Sequence, residues 1–369
     1  MKSLKTLNTG IKNIKNVKNY IFETSSINNL NKITNDYLKS NPGEVVYFVD
    51  SFFKNNKILE NIEKKYFKNI FYINTLHEPS TEYINKLRDI LSRNIVNSIS
   101  LIVAIGGGCT LDVGKALANL LTNPGKAEDY QGWDLVKKPA IYKIGIPTIS
   151  GTGAESTRTC VMINKKNGLK LGMNSDFTVF DQLILDPELT ITVPRDQYFC
   201  TGMDTYIHCI ESLNGYYRNA IGDAYSIQAL SLCKEVFQDL EMQNIENRKK
   251  LMTASYLGGC AISTSYVGLI HPLSAALSVV LGTHHCVANC IVMLSMEEFY
   301  PKEYEEFLRM VKKQNVNIPS GICNNLNDHQ FNSLYEATII HEKPLTNALG
   351  PNFKNILNKN KVIEIFRKM

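Results

Sequence analysis

The chain of 369 residues has nine cysteines but no CxxC pair, and their scattered, odd set offers no disulfide framework. Reduced thiols and a cytoplasmic protein are the expectation. No uncharged apolar run approaches the roughly 18 residues that a membrane helix needs. The opening MKSLKTLNTGIKNIKNVKNYIF keeps returning to Lys and Asn. It lacks an apolar core and a small-residue cleavage site, so a signal peptide is not expected. Charge of one sign is scarce as well: 40 Lys+Arg against 35 Asp+Glu leave only +5, which gives no nucleic-acid footprint. Low-complexity tracts and a repeat period are absent. With 44% hydrophobic and 20% charged residues the chain belongs to the folded class. At roughly 150 residues per domain, two domains are expected.

Along the first half, strand-like and helix-like segments alternate. GEVVYFVD (43–50) ends in Asp50, and NIFYINTL (69–76) precedes a helix over about 80–95. SLIVAIGGG (100–108) runs into glycines and the helical LDVGKALANLL, and KIGIPTISGTG (143–153) again joins an apolar strand to a small-residue turn. Continuous apolar strands separated by helices predict a parallel sheet covered on both faces. Its ligands would bind beyond the strands' C-terminal ends, at Asp50, Gly106–Gly108 and Ser150–Gly153. After Pro194 apolar residues recur at three- and four-residue spacing, which predicts a helical second domain. The expected division is an extension over 1–14, an α/β dinucleotide-binding domain over 15–195 and an all-α domain over 196–369.

Three constellations could carry chemistry. Gly106-Gly107-Gly108 opens a helix after a buried strand, which suits either a phosphate cradle or a tight turn; it is neither GxGxxG nor a Walker sequence. Asp204 and His208 are i and i+4, on one helix face one turn apart. They could chelate a divalent cation, or be a helix-start carboxylate and a hydrogen-bonded histidine. Three of the seven histidines, His271, His284 and His285, lie in one apolar stretch. Buried imidazoles near one Asp fit a metal, although a polar core network would look alike. A phosphate cradle facing one Asp and three His across a cleft points to an oxidoreductase. The metal would lower an alcohol's pKa, and the nucleotide would accept hydride.

AIGGGCTLDVGKA, GIPTISGTGAE, LDPELT, TGMDTYIHCIE and the His271-to-His285 spacing resemble the iron-containing (group III) alcohol dehydrogenases, of dehydroquinate synthase-like fold. The resemblance implies an α/β dinucleotide-binding domain followed by a helical metal-binding domain. By the same resemblance Asp204, His208, His271 and His285 match the metal ligands, for Fe, Zn, Co or Mn. Asp50 matches the acidic residue on the adenosine ribose, although alone it could equally be a helix cap. Gly107, Gly108 and Asp112 match the pyrophosphate loop, and Thr148, Thr152 and Lys170 the ribose and nicotinamide side of NAD(P). A homodimer is a family expectation. Many relatives carry a proton-relaying histidine four residues after the third ligand, where this chain has Ala275; His284 is the substitute to consider.

A narrower resemblance, in LTNPGKAEDYQGWDLVKKPA, LGMNSDFTVFDQLILDPEL and LGTHHCVANC, is to the 3-deoxy-D-manno-octulosonate (KDO) 8-oxidase subgroup. It implies oxidation of the C8 hydroxyl to an aldehyde. A pyridoxal phosphate-dependent aminotransferase would then act as functional partner, making the 8-amino sugar of lipopolysaccharide. Trp133, Asp134, Lys137, Lys138 and Arg158 fall in or near expected cleft loops, Arg158 being the candidate for a substrate carboxylate. The alternatives are a generic NAD(P)-dependent dehydrogenase or reductase of small alcohols and an inactive metal-binding subunit. The acceptor, NAD(P) or oxygen, stays open.

Overall fold

The computed structural model describes residues 4–6, 14–56, 67–95 and 98–369. Its N-terminal half is built on a six-stranded sheet in the order β1-β9-β6-β4-β2-β3. These strands are β1 (Asn19–Phe22), β2 (Glu44–Asp50), β3 (Ile70–Ile73), β4 (Ile99–Gly106), β6 (Tyr142–Pro147) and β9 (Gln182–Leu185), and every pairing is parallel. Residues alternate faces along the central strands. Val46, Phe48 and Ile102 pack into one hydrophobic cluster, whereas Val45, Tyr47, Leu101 and Val103 enter another. Burial on both faces explains why these strands are uninterrupted apolar runs. Helices α1 (Leu30–Ser40), α2 (Thr81–Asn94) and α3 (Gly108–Leu120) accompany the sheet. Along the sheet, β3 lies on one side of β2 and β4 on the other, so the order switches at β2. The crevice there lies between Asp50 and the Gly106–Gly108 turn.

A second sheet is built from β5 (Gly132–Trp133), β7 (Thr159–Asn164) and β8 (Leu169–Asn174), with β7 antiparallel to β8. The sequence reading had no place for this hairpin, yet its turn carries Asn167-Gly168 with Gly168 at φ +64°. That dipeptide supplies the positive φ such turns require.

The C-terminal half is helical: α4 (Arg195–Asn214), α5 (Ala220–Gln238), α6 (Ile245–Ser265), α7 (Ile270–Leu281), α8 (His285–Met293), α9 (Pro301–Gln314), α10 (Asp328–Ile339), α11 (Glu342–Leu349), α12 (Phe353–Ile356) and α13 (Lys359–Phe366). Helix α4 is buried without a break from Tyr198 to Ser212, as its lack of a polar stripe demands. The α/β-plus-helical architecture expected from the sequence is the one observed. Pro272 and Pro301 fall within this helical half. Both sit in the first turn of a helix, α7 and α9, where a missing N–H costs nothing.

The two halves meet through the Ser150–Ser156 turn. Gly151 donates its N–H to Ser255 Oγ at 2.8 Å, and its carbonyl accepts from Thr205 Oγ1 at 2.7 Å. Ser255 in turn donates to buried Glu155 at 2.7 Å. A Cβ at Gly151 would lie 1.7 Å from the Thr201 carbonyl oxygen, so only glycine allows this approach. Of the expected extension, Lys5 bridges to Asn219, with Ala220 N–H donating to the Lys5 carbonyl at 3.1 Å. Residues 1–3 and 7–13 lie outside the described residues. All nine cysteines are free. No single helix among the described residues is long and apolar enough to cross a membrane.

Candidate active site

Helix α4 presents Asp204, His208 and Glu211 at i, i+4 and i+7, hence on one face. Helix α7 brings His271 and α8 brings His285 to that face. Asp204 Oδ1 lies 3.2 Å from His271 Nε2 and 3.4 Å from His208 Nε2, and Oδ2 lies 3.8 Å from His285 Nε2. Donors bound tetrahedrally at ~2.1 Å from one ion stand ~3.4 Å apart. The spacing thus fits a divalent cation at the centre. Ligand atoms of Asp204, His208 and His271 all lie within 4.8 Å of one another, and His285 on α8, outside that trio, approaches only the far oxygen of Asp204.

Electrostatics favour the same reading at Asp204, His208 and His285. Burial opposes the Asp204 charge, yet the surrounding imidazoles hold its carboxyl below the usual range. Burial pushes His208 down to about 4 and His285 well below its ordinary value, so both offer lone pairs. His271 differs: despite burial, Glu211 and Asp204 raise it to about 9. Glu211 Oε2 lies 2.5 Å from His271 Nδ1, and Oε1 accepts the Ile270 N–H at 2.5 Å. This carboxylate therefore orients the ring from behind. Asn289 Nδ2 donates to Asp204 Oδ1 at 2.7 Å and fixes the carboxylate rotamer.

One cavity of about 950 Å³ runs from this cluster to the sheet's crevice. Asp50, Gly107, Gly108, Asp112, Thr148, Thr152 and Lys170 all line it, as do Trp133, Arg158, His284 and Ala275. The first turn of α3 carries no acidic residue, and Gly107, Gly108 and Cys109 at its start line the cavity. A Cβ at Gly107 would meet the Ile149 side chain at 2.9 Å, and one at Gly108 the Thr152 hydroxyl at 3.2 Å.

Several expected cofactor residues already have protein partners. The Asp50 carboxylate accepts from Phe52 N–H at 3.0 Å and Thr75 Oγ1 at 3.2 Å, so it caps a turn while facing the cleft. Asp112, which burial raises to about 6, accepts the Val161 N–H at 2.9 Å. Lys170 pairs with Glu78 at 2.7 Å. Arg158 bonds Asp134 at 2.5 Å and Asp176 at 3.0 Å, so its fork is taken up by two carboxylates. Lys137 Nζ donates to the Asp134 carbonyl, and the backbone N–H of Lys138 is bound by Asn123.

The sequence reading missed Glu211, Asn289, Tyr266, His341 and Lys343. Only Glu211 had a signal, its i+7 spacing from Asp204. Burial pushes His341 down to about 4, and its ring, like that of His284, borders the cavity with no protein hydrogen bond on either nitrogen among the described residues.

A parallel sheet with a glycine turn at its edge thus faces a carboxylate–histidine cluster across one cavity. The comparisons are specific. Residues 18–187 match the model of the iron-containing alcohol dehydrogenases, and residues 198–333 that of the Fe-containing alcohol dehydrogenase family, C-terminal. The chain belongs to the iron-containing alcohol dehydrogenase family. It is 36% identical over 190 residues to the sulfoacetaldehyde reductase of Bilophila wadsworthia (strain 3_1_6), covering 51% of this chain and 49% of the relative. The chain thus matches about half the length of such curated relatives. Its fold is that of an alcohol dehydrogenase from Oenococcus oeni (TM-score 0.80, 20% identity, 97% and 99% of the two chains). It is also that of sulfoacetaldehyde reductase from Bifidobacterium kashiwanohense in complex with NAD+ (TM-score 0.76, 20% identity, 96% and 98%).

Proposed function

We propose that the chain is a metal-dependent, NAD(P)-linked oxidoreductase that interconverts a primary alcohol and its aldehyde. The observation carrying this is the single cavity joining the Gly107–Gly108 turn to the Asp204 cluster. A divalent cation held by Asp204, His208, His271 and His285 would acidify a hydroxyl and polarise the carbonyl it becomes, and a nicotinamide would take the hydride. Glu211 and Asn289 hold the donor set in place. The α3 N-terminus and Thr152 receive the pyrophosphate side of the nucleotide, with Asp50 and Thr148 placed toward its riboses and Lys170 toward the nicotinamide. With Ala275 at the family's histidine position, the free rings of His284 and His341 are the groups that accept the hydroxyl proton. We place the domain division at residues 195 and 196.

The narrower reading is oxidation of the C8 hydroxyl of 3-deoxy-D-manno-octulosonate ahead of an aminotransferase. Its support is the Tyr130–Pro139 stretch, which puts Trp133 on the cavity wall. The relatives support the broader reading better. The test is a substrate panel with metal-loaded protein and NAD or NADP: ethanol, propanediol, butanol and the eight-carbon sugar acid, with NADH absorbance and aldehyde trapping as readouts. Nucleotide reduction with any of them supports the activity, and turnover confined to the sugar acid selects the narrower reading. Aldehyde formation at full rate without nucleotide would overturn the NAD(P) assignment.

A further inference from the structure

The far wall of the cavity is built from three elements that meet at an aromatic corner. Trp133 on β5 packs edge-to-face on Tyr266 just after α6, with ring centroids 5.0 Å apart at 78°. Tyr217 supports Tyr266 from behind at 5.2 Å and 87°. Lys343, in the first turn of α11, sets its ammonium 3.7 Å from the Trp133 ring centroid and 5.6 Å from that of Tyr266. The backbone is strained on both sides of this corner. Tyr266 stands at φ 64°, ψ 165° and Asp134 at φ 57°. The first is a region reserved in practice for glycine, and such outliers persist only where the surroundings over-determine them. Here buried Asn347 does so: its amide donates to the Tyr266 and Val267 carbonyls at 3.2 and 3.1 Å and accepts the Tyr217 N–H at 2.9 Å.

The charges around the corner are unevenly satisfied. Asp134 and Asp176 both bond Arg158, and Glu342 pairs with Lys354 at 3.0 Å. Among the described residues no carboxylate lies within ion-pair distance of Lys343. Burial pushes its ammonium below the ordinary lysine value, and neighbouring Asp134 only partly offsets this. Lys343 is thus a half-buried cation on an aromatic platform, lining the cavity of the candidate active site, with its N–H donors not taken up by a carboxylate among the described residues.

We infer that Trp133, Tyr266 and Lys343 form the subsite for an anionic group, a carboxylate or sulfonate, at the end of the substrate remote from the reacting carbon. The subsite rests on the proposed alcohol–aldehyde activity, but it can be tested without turnover. The anion accepts N–H bonds from Lys343 Nζ and replaces the missing counter-charge, while the indole and phenol rings exclude water around it. Lys343, not Arg158, is then the residue that selects acidic over neutral substrates.

Trp133 is the chain's single tryptophan, so its fluorescence reports this corner alone. The first arm titrates the protein with succinate, ethanesulfonate and, as neutral control, 1-butanol. The two anions should change Trp133 emission saturably and the control should not; a carboxylate-only or sulfonate-only response identifies the anion class. Lys343→Met should weaken anion binding by about tenfold to a hundredfold, the range of one charge-assisted bond, and Lys343→Arg should restore most of it. The second arm compares succinate semialdehyde with butanal. The ratio of their kcat/KM values should favour the acid and fall by the same factor in Lys343→Met, through KM. Equal responses to anions and butanol, or no loss in Lys343→Met, would overturn the subsite. Anion binding that depends on Lys343, without turnover of either aldehyde, would sustain the subsite and count against the activity instead.

Discussion

Replacing Glu211 by glutamine tests how the proposed ligand set is held. The carboxylate is 1% exposed and accepts from two donors, the His271 ring and the Ile270 N–H at the start of α7. A glutamine has one acceptor oxygen for these two donors, and its NH2 group would face one of them. One buried donor is therefore orphaned, which costs about 1–3 kcal/mol. Loss of a carboxylate behind a ligating histidine further lowers metal affinity by about 10- to 100-fold. Glu211→Gln should thus shift the urea midpoint downward, and should release metal to a chelator at correspondingly lower chelator concentration. Glu211→Ala, which orphans both donors, should lose about twice the stability. A Glu211→Gln protein with unchanged midpoint and unchanged chelator sensitivity would refute the orienting role.

Gly151→Ala should fail to yield stable protein, because its Cβ would overlap the Thr201 carbonyl; Gly168→Ala meets no atom within 4 Å and should lose only ~1 kcal/mol, through its positive φ. Soluble yield and urea midpoints check this contrast. Lys143, 2% exposed by side chain beside Asp181, is pushed by burial down to about 8 from 10.5. A base whose folded pKa is depressed is better tolerated neutral, so the unfolded chain holds more protons between about pH 8 and 10.5 and stability rises with pH there. Wild type should gain on Lys143→Met across that window, by at most on the order of 3 kcal/mol in urea unfolding; a constant difference would contradict the assignment. Substituting His341 by asparagine should lower kcat and alter the acid limb of the rate profile, and an unchanged profile would leave His284 as the proton acceptor.

Local patterns revealed the sheet and the cleft. The apolar runs ending in Asp50 and Gly106 are strands buried on both faces, and burial leaves few alternatives for such runs. The proposed ligand set was open to the same reasoning only in part. Asp204 and His208 share a helix face, but His271 and His285 join them only because α7 and α8 pack on α4, and that packing has no local spacing rule. Arg158 shows the opposite limit. Its fork suits a carboxylate, and it does bind carboxylates, but they are Asp134 and Asp176 of neighbouring loops, 24 and 18 positions away. Lys343 and Trp133 are 210 positions apart and Tyr266 adopts a glycine-like backbone, so no propensity argument could join them.

Metal removal and return separate a metal-dependent reaction from any other. The protein is stripped with a chelator, its metal content is measured, and NADH formation with a turned-over alcohol is followed as Fe, Zn, Co or Mn is added back. The stripped protein should be inactive, recovery should saturate at one ion per chain, and Asp204→Asn/His271→Ala should show neither binding nor recovery. Full NAD-dependent oxidation by stripped protein, or by that double variant, would contradict the proposed metal dependence.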